Sequence, residues 1–401
     1  MWSRLNGEWW KRNERMRKSV IRRKLTRVDR ALDKAIESGE TAGAVVLARM
    51  PREGELLEHV SVRGLAASRP ERVPMARETL FDLASLTKPL ATTSALLWLV
   101  HEGAVALDDP VAKHLPAFAE RGKESVTLRH LLTHSSGLKP WRAFHELLVE
   151  RERKTGERLI GTPFARDFVL QRICRSALMH EPGEAAVYGD LDFIVLGALV
   201  ESVTRQSLDA FCDARIFHPL GLAHTSFVQP PLGGGAPPEN VRRRFAATEN
   251  CPWRGRIVWG EVHDPNASVM GGVAGHAGLF ASADDVLRYA QVLLDVYHGR
   301  SSAFPAELVR TFFTRQHLPR TSDWALGWDT PTKGASSSGQ HFSEHSVGHL
   351  GFTGTSLWID LDRECIVVML TNRIHLVAKR SQYKLRPLIH DLLLESFLAD
   401  A

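Results

Sequence analysis

The chain has 401 residues, 44% of them hydrophobic and 24% charged. That is enough to bury a large core in one domain or two closely packed ones, and too apolar for a disordered tail. Its net charge of +5 concentrates in residues 1–24, where nine Lys/Arg face two Glu, so the remainder sums to −2. A near-neutral body carries no electrostatic footprint for nucleic acid, and no run of 18 apolar residues spans a bilayer.

The basic start has no apolar stretch followed by a small-residue cleavage site and does not read as a secretory signal. Trp2, Leu5 and Trp9 would share one helical face, which allows membrane-surface contact, but a frayed extension over 1–24 is the plainer expectation. Residues 26–39 put Val28, Ala31, Leu32, Ala35 and Ile36 on one face, predicting a helix with Thr26 as N-cap and Gly39 as stop. GAVVLARM (43–50) and HVSVRGLA (59–66) read as a β-hairpin across PREGE. A long, mainly helical stretch (84–320) follows, interrupted by QPPLGGGAPPEN. Three further strands are expected at 346–352, 355–361 and 364–372, and a last helix over about 380–399.

The predicted fold is therefore α+β: one domain over 25–400, with an antiparallel sheet built from both ends of the chain (25–83 and 321–400), terminal helices on one face and the helical insertion on the other. The crevice between sheet and insertion is the natural place for a site. Cys174, Cys212, Cys251 and Cys365 have no paired spacing, so free buried thiols in a cytoplasmic protein are expected, without disulfide or zinc.

Three Ser-x-x-Lys matches occur: Ser85–Lys88, Ser136–Lys139 and Ser381–Lys384. Gly137 and Pro140 place the second in a turn, and the third falls on the polar flank of the terminal helix. In FDLASLTKPLATTSALLWLV (81–100), Pro89 is tolerated only in a helix's opening turn, which predicts a helix starting near Ser85. Ser85 would then lie at the positive end of a buried helix with Lys88 one turn on, an arrangement for a nucleophile and its base; an ordinary N-cap serine is the competing reading. Tyr188, in Y-G-D before an apolar helix, can relay a proton. GHLGFTGTSLW (348–358) offers main-chain N–H groups to an oxyanion.

The ordered series S-L-T-K (85–88), Y-G-D (188–190) and H-L-G (349–351) resembles the S-x-x-K, Y-x-N and K/H-T-G motifs of the serine β-lactamase and penicillin-recognising family, most nearly its class C-like branch of esterases, D-aminopeptidases and DD-peptidases. The resemblance runs from about residue 28 to 398. It implies that Ser85 is acylated, that Lys88 and Tyr188 form its base and relay, that Asp190 holds the substrate-orienting position, and that the amides of Ser85 and Phe352 form the oxyanion hole. His349 and Gly351 would line the substrate strand, and no cofactor is implied.

Two departures stand out. Asp190 replaces a neutral amide and should raise the pKa of Lys88, shifting weight to Tyr188. His349 replaces a lysine with a group only partly charged at neutral pH. With Leu350 in place of threonine, these changes favour an ester or an uncharged amide, or even an amine-bearing substrate, over a carboxylate-bearing β-lactam. β-Lactamase or DD-peptidase activity is the alternative, and a non-catalytic binder on the same fold the reading from another class. His263 and Asp264 are expected to border the cleft, His134 to orient a turn and His276 to serve the turn before a helix capped by Ser282. His341, His345 and His349 are spaced as helical metal ligands would be, but they fall in a strand pattern, so no metal site is expected. No oligomeric state is legible.

Overall fold

A computed structural model describes the backbone of residues 2–230, 235–376 and 384–399, and side chains from residue 20 onward. The side-chain face of Trp2, Leu5 and Trp9, and Ser381 of the third Ser-x-x-Lys, lie outside the described residues.

The first helix is continuous over Trp2–Glu37. Thr26 is thus interior to it and does not cap it: its hydroxyl donates to the Arg23 carbonyl at 2.6 Å, the back-bond available to a threonine within a helix. Next comes the hairpin of β1 (Gly43–Arg52) and β2 (Glu55–Ala67), longer than the alternation suggests. Its turn is only Glu53-Gly54, both at positive φ (52° and 80°), the conformation that matches strand twist in a two-residue hairpin.

β2 pairs outward with β3 (Val73–Pro74), and β1 pairs on its other side with β11 (Cys365–Thr371), which continues through β10 (Ser356–Asp360) to β9 (Ser346–Leu350). The sheet order is β3-β2-β1-β11-β10-β9, and every pairing is antiparallel. Period-2 alternation divides the two faces. Ala44, Val46, Ala48, Val367 and Met369 pack with Val28 and Leu32 of the first helix and with Ile389, Leu393 and Phe397 of the last, Leu385–Phe397. Val45, Leu47, Ile366, Val368 and Leu370 turn the opposite way, into the larger core shared with the insertion.

Within the insertion, strands unforeseen from the sequence appear: β4 (Phe81–Asp82), β8 (Leu279–Ala281) and β5 (Thr225–Phe227) form a small sheet in the order β4-β8-β5, while β6 (Asn250–Cys251) pairs with β7 (Arg256–Ile257). Strands of two or three residues are too short to leave a periodicity. All four cysteines are free and buried. Among the described residues, no helix is long and apolar enough to cross a membrane.

Candidate active site

The chain leaves β4 at Asp82 and enters a tight turn that carries Ser85. Ala84 takes φ +49°, a left-handed conformation costly for a residue with a Cβ. Asp82 stabilises it: Oδ1 accepts the Ala84 N–H at 2.8 Å and Oδ2 accepts the His263 N–H at 2.7 Å. Thr353 and Thr355, following β9, donate their hydroxyls to the Asp82 and Leu83 carbonyls at 2.7 and 3.0 Å. Sheet, Ser85 turn and the 260–264 loop are thereby locked together.

Ser85 does not begin an α-helix. It sits in a 3₁₀ turn, Ala84–Leu86, followed by a π-helical turn, Lys88–Thr93, and only then by the α-helix Ser94–His101. The wider π turn accommodates Pro89, which lacks an N–H.

Lys88 is buried, and its ammonium spends all three donors: on Asp190 Oδ1 at 2.7 Å, Tyr188 Oη at 2.8 Å and Ser85 Oγ at 3.0 Å. Burial alone would lower its pKa, but the Asp190 carboxylate, with help from Tyr188, reverses this and raises it above the ordinary lysine value. The expected effect of Asp190 is thus present. Burial raises the Tyr188 phenol, against the pull of Lys88. Tyr188 is 40% exposed as a residue, while its hydroxyl bonds Lys88 and Ser85. With both values raised, the resting site holds a lysine ammonium and a neutral phenol beside Asp190.

Trp324 stacks on Tyr188 at 5.5 Å and 16°, and His134 packs beside it at 4.7 Å. His134 takes φ +56° and receives the Gly189 N–H on Nδ1 at 3.3 Å, so it positions the Y-G-D turn. Burial, then Lys88, hold it neutral, with a pKa of about 3. Its neighbour Asp192, 3.3 Å from the same nitrogen, is pushed by burial up to about 8. Ser136, of the second Ser-x-x-Lys, is a buried turn residue whose hydroxyl binds Asp192.

His349 requires a correction: it is not partly charged. It is 2% exposed, and burial, followed by repulsion from Lys88, holds its pKa well below 6.5. Its Nδ1 lies 2.8 Å from the Leu350 carbonyl. A carbonyl only accepts, so Nδ1 carries the proton and Nε2 is a bare acceptor, buried without a hydrogen-bond partner. His341 and His345 lie elsewhere, near Glu395 and Asp362 respectively, so the three histidines form no common centre.

A cavity of about 720 Å³ opens over Ser85, lined also by Tyr188, Asp190, His263, Asp264, His276, His349, Gly351 and Phe352. His263 and Asp264 do border it. Phe352, 61% exposed, stacks on His263 at 5.5 Å with Arg373 over the ring at 5.5 Å. His276 does more than serve a turn: Nε2 lies 2.9 Å from Asp264 Oδ1, and both line the cavity. Asp264 also caps the helix Pro265–Val269, receiving the Ala267 N–H at 2.7 Å. Burial would raise its pKa, but His276 and the cap bond outweigh this and hold it below the ordinary carboxylate range. Among the described residues, Asp190, Asp264 and His276 form one group whose ligand-capable atoms lie within 4.8 Å of one another.

A β-lactamase family model matches residues 28–388. The chain belongs to the β-lactamase family. A curated relative from Escherichia coli K12, described as a putative D-alanyl-D-alanine carboxypeptidase, is 36% identical over 325 residues, covering 74% of this chain and 70% of the relative. One of the same description from Salmonella enteritidis is 33% identical over 322 residues, with shares of 74% and 70%. Among solved structures, EstCE1, titled a hydrolase with promiscuous acyltransferase activity, superimposes with TM-score 0.70 at 22% identity, covering 93% of this chain and 99% of that one. A class C β-lactamase from Rhodobacter sphaeroides does so with TM-score 0.65 at 20% identity, covering 93% and 99%. The expected α+β fold is the fold of this family, and the protein is a serine hydrolase.

Proposed function

We propose that the enzyme hydrolyses a small ester or peptide-like amide through an acyl-enzyme on Ser85. The observation that carries this is the single ammonium of Lys88 hydrogen-bonded at once to Ser85, Tyr188 and Asp190 beneath an open cavity. In the reaction the Ser85 Oγ–acyl bond forms, the ester C–O or amide C–N bond breaks, and the serine proton passes through the Tyr188–Lys88 pair to the leaving group; water then releases the acid by the reverse path. Because the resting lysine is protonated, the pair acts as base only once it has lost a proton. Main-chain N–H groups of Ser85 and Phe352, two residues that line the cavity, are assigned to the oxyanion.

The test is intact-protein mass alongside chromophore release with a p-nitrophenyl acyl ester. Wild type should gain an acyl mass and turn over, and Ser85→Ala should do neither; an unchanged rate in the variant would overturn the proposal.

A second reading, β-lactam or DD-peptide turnover, is supported by the descriptions of the E. coli and Salmonella relatives and by the positive charge of Arg373 and Arg386 on the cavity wall, each of which also donates to a carbonyl of the strand end, at Phe352 and Gly351. Slow-releasing, Ser85-dependent labelling by a fluorescent penicillin would identify it.

A further inference from the structure

His134 holds the chain on both sides of Tyr188. Its carbonyl receives the Val187 N–H at 2.9 Å and its Nδ1 receives the Gly189 N–H at 3.3 Å, while its ring packs on that of Tyr188 at 4.7 Å. Gly189 is buried, and Nδ1 is the one acceptor of its amide among the described residues. An imidazole nitrogen that accepts cannot also donate, so Nδ1 carries no proton.

Oδ2 of Asp192, near the start of the helix Leu191–Thr204, lies 3.3 Å from that same bare nitrogen. Two acceptors this close repel, and a proton on the carboxyl group turns the contact into an O–H···N bond. One lone pair shared between this donor and Gly189 keeps both contacts longer than usual. The other oxygen is already supplied: Ser136 Oγ accepts the Leu138 N–H at 3.0 Å and donates to Oδ1. Both side chains of the His134–Asp192 pair are enclosed, at 0% and 3% exposure. Burial, with Asp190 beside it, favours the neutral acid over the opposing pull of Ser136, Lys88 and His180.

We propose that Asp192 is a neutral acid that donates its carboxyl proton from Oδ2 to Nδ1 of His134, and that it is thereby the positioning residue that keeps the Tyr188 phenol in register with Lys88 and Ser85. The effect on rate rests on the Ser85 hydrolase reading; the position of the proton does not. A neutral pair braces the tyrosine without setting another charge beside Lys88 and Asp190. If Asp192 ionises, the contact is relieved only by the other imidazole tautomer, with its proton on Nδ1 and turned to Asp192. Gly189 then loses its acceptor, and one side of the Tyr188 turn comes loose.

The experiment pairs infrared difference spectra with turnover of a neutral p-nitrophenyl ester. Wild type minus Asp192→Asn near neutral pH should show the C=O stretch of a protonated carboxyl group, shifted in heavy water and fading as pH passes about 8. Carboxylate bands in its place would overturn the proposal. Asparagine keeps both bonds, its N–H donating to His134 and its oxygen accepting Ser136, so Asp192→Asn should hold kcat close to the wild-type value at neutral pH. Asp192→Ala supplies neither and should lower kcat by about fivefold or more with KM little changed, the effect of leaving a buried polar group unmet. As the carboxyl band fades, wild-type kcat should fall relative to Asp192→Asn, which has no acid proton to lose. A ratio that stays constant across that change, or an asparagine variant as impaired as the alanine one, would overturn the positioning role. Absence of Ser85-dependent turnover in wild type would sink the hydrolase reading and the rate effect with it, while the infrared bands decide the proton on their own.

Discussion

At the scale of single residues, the proposed reaction makes Asp190 the group that should set the working pH. Its carboxylate stabilises the Lys88 ammonium, so the protonated form of the Lys88–Tyr188 pair persists to higher pH and activity should climb toward alkaline pH. Asp190→Asn removes that charge while keeping a side-chain oxygen. On a neutral activated ester, its acid limb should move to lower pH, measurable as kcat/KM against pH; an unmoved limb would show that Asp190 does not govern the base. Asp190→Ala is a different case, because it strands a buried ammonium, and breaking such a pair costs about 3–5 kcal/mol. Asp82 acts one step further out. Asp82→Ala leaves the Ala84 and His263 amides without their acceptor, so thermal unfolding should show a loss of about 1–3 kcal/mol for each amide kept from water, with kcat falling as the turn at Ser85 relaxes.

At the scale of elements, the close approach of β9 to the nucleophile turn makes Gly351 indispensable. A Cβ there would meet the Leu83 carbonyl at 2.4 Å and Thr355 Oγ1 at 2.0 Å. Gly351→Ala should therefore shift the neighbouring Phe352 amide and, with that amide in its proposed oxyanion role, depress kcat more than KM in steady-state assays, since such a donor acts chiefly in the transition state. The elements themselves were legible where their period is strong. β9, β10 and β11 fall within a residue or two of the expected strands because apolar residues alternate across two buried faces. The Ser85–Lys88 pair stood out because a proline and an apolar run follow it. The π turn left no signal, since nothing in KPLATT distinguishes it from a first α-turn. Asp82 is 181 residues from His263, and Asp264–His276 joins two loops that only the fold brings together. The G-E-V-H-D and G-H-A-G-L-F stretches contain both partners, but proximity between them has no period to betray it. The neutrality of His349 was equally hidden, because burial and a single carbonyl decide it.

At the scale of the whole molecule, buried groups with displaced pKa values shape stability against pH. His134 and His390 are held by burial near about 3, and His349 is lowered too. Below their ordinary value of about 6.5 the unfolded chain binds protons that the folded chain refuses, so these three withdraw stability as pH falls. Asp192, near 8, and Asp329, near 7, have the opposite sign: raised by burial, they keep protons in the fold that the unfolded chain releases above about pH 4. From about pH 4 to 6.5 the histidines lowered by burial, which also include His59, His130, His145 and His375, outnumber the acids raised by it, which also include Glu40, Asp82 and Glu261; above that range the raised acids withdraw stability, each by at most about 1.4 kcal/mol per pH unit. Calorimetry should find the highest Tm near pH 6.5–7, and a Tm rising steadily to pH 9 would contradict the assignment.

The pairing of β1 with β11 has a consequence for how the enzyme comes into being. Val46 lies opposite Met369 and Ala44 opposite Thr371, so the middle of the sheet closes only after more than three hundred intervening residues have left the ribosome. Until then β1 presents an unpaired apolar edge, the kind of surface that recruits a neighbouring chain. The β9–β10 turn that clamps Asp82 and Leu83 arrives in the same late stretch. A nascent chain therefore holds Ser85 and Lys88 long before it holds the sheet that fixes their turn, and the appearance of the proposed ester hydrolysis during synthesis would time the closing of the sheet.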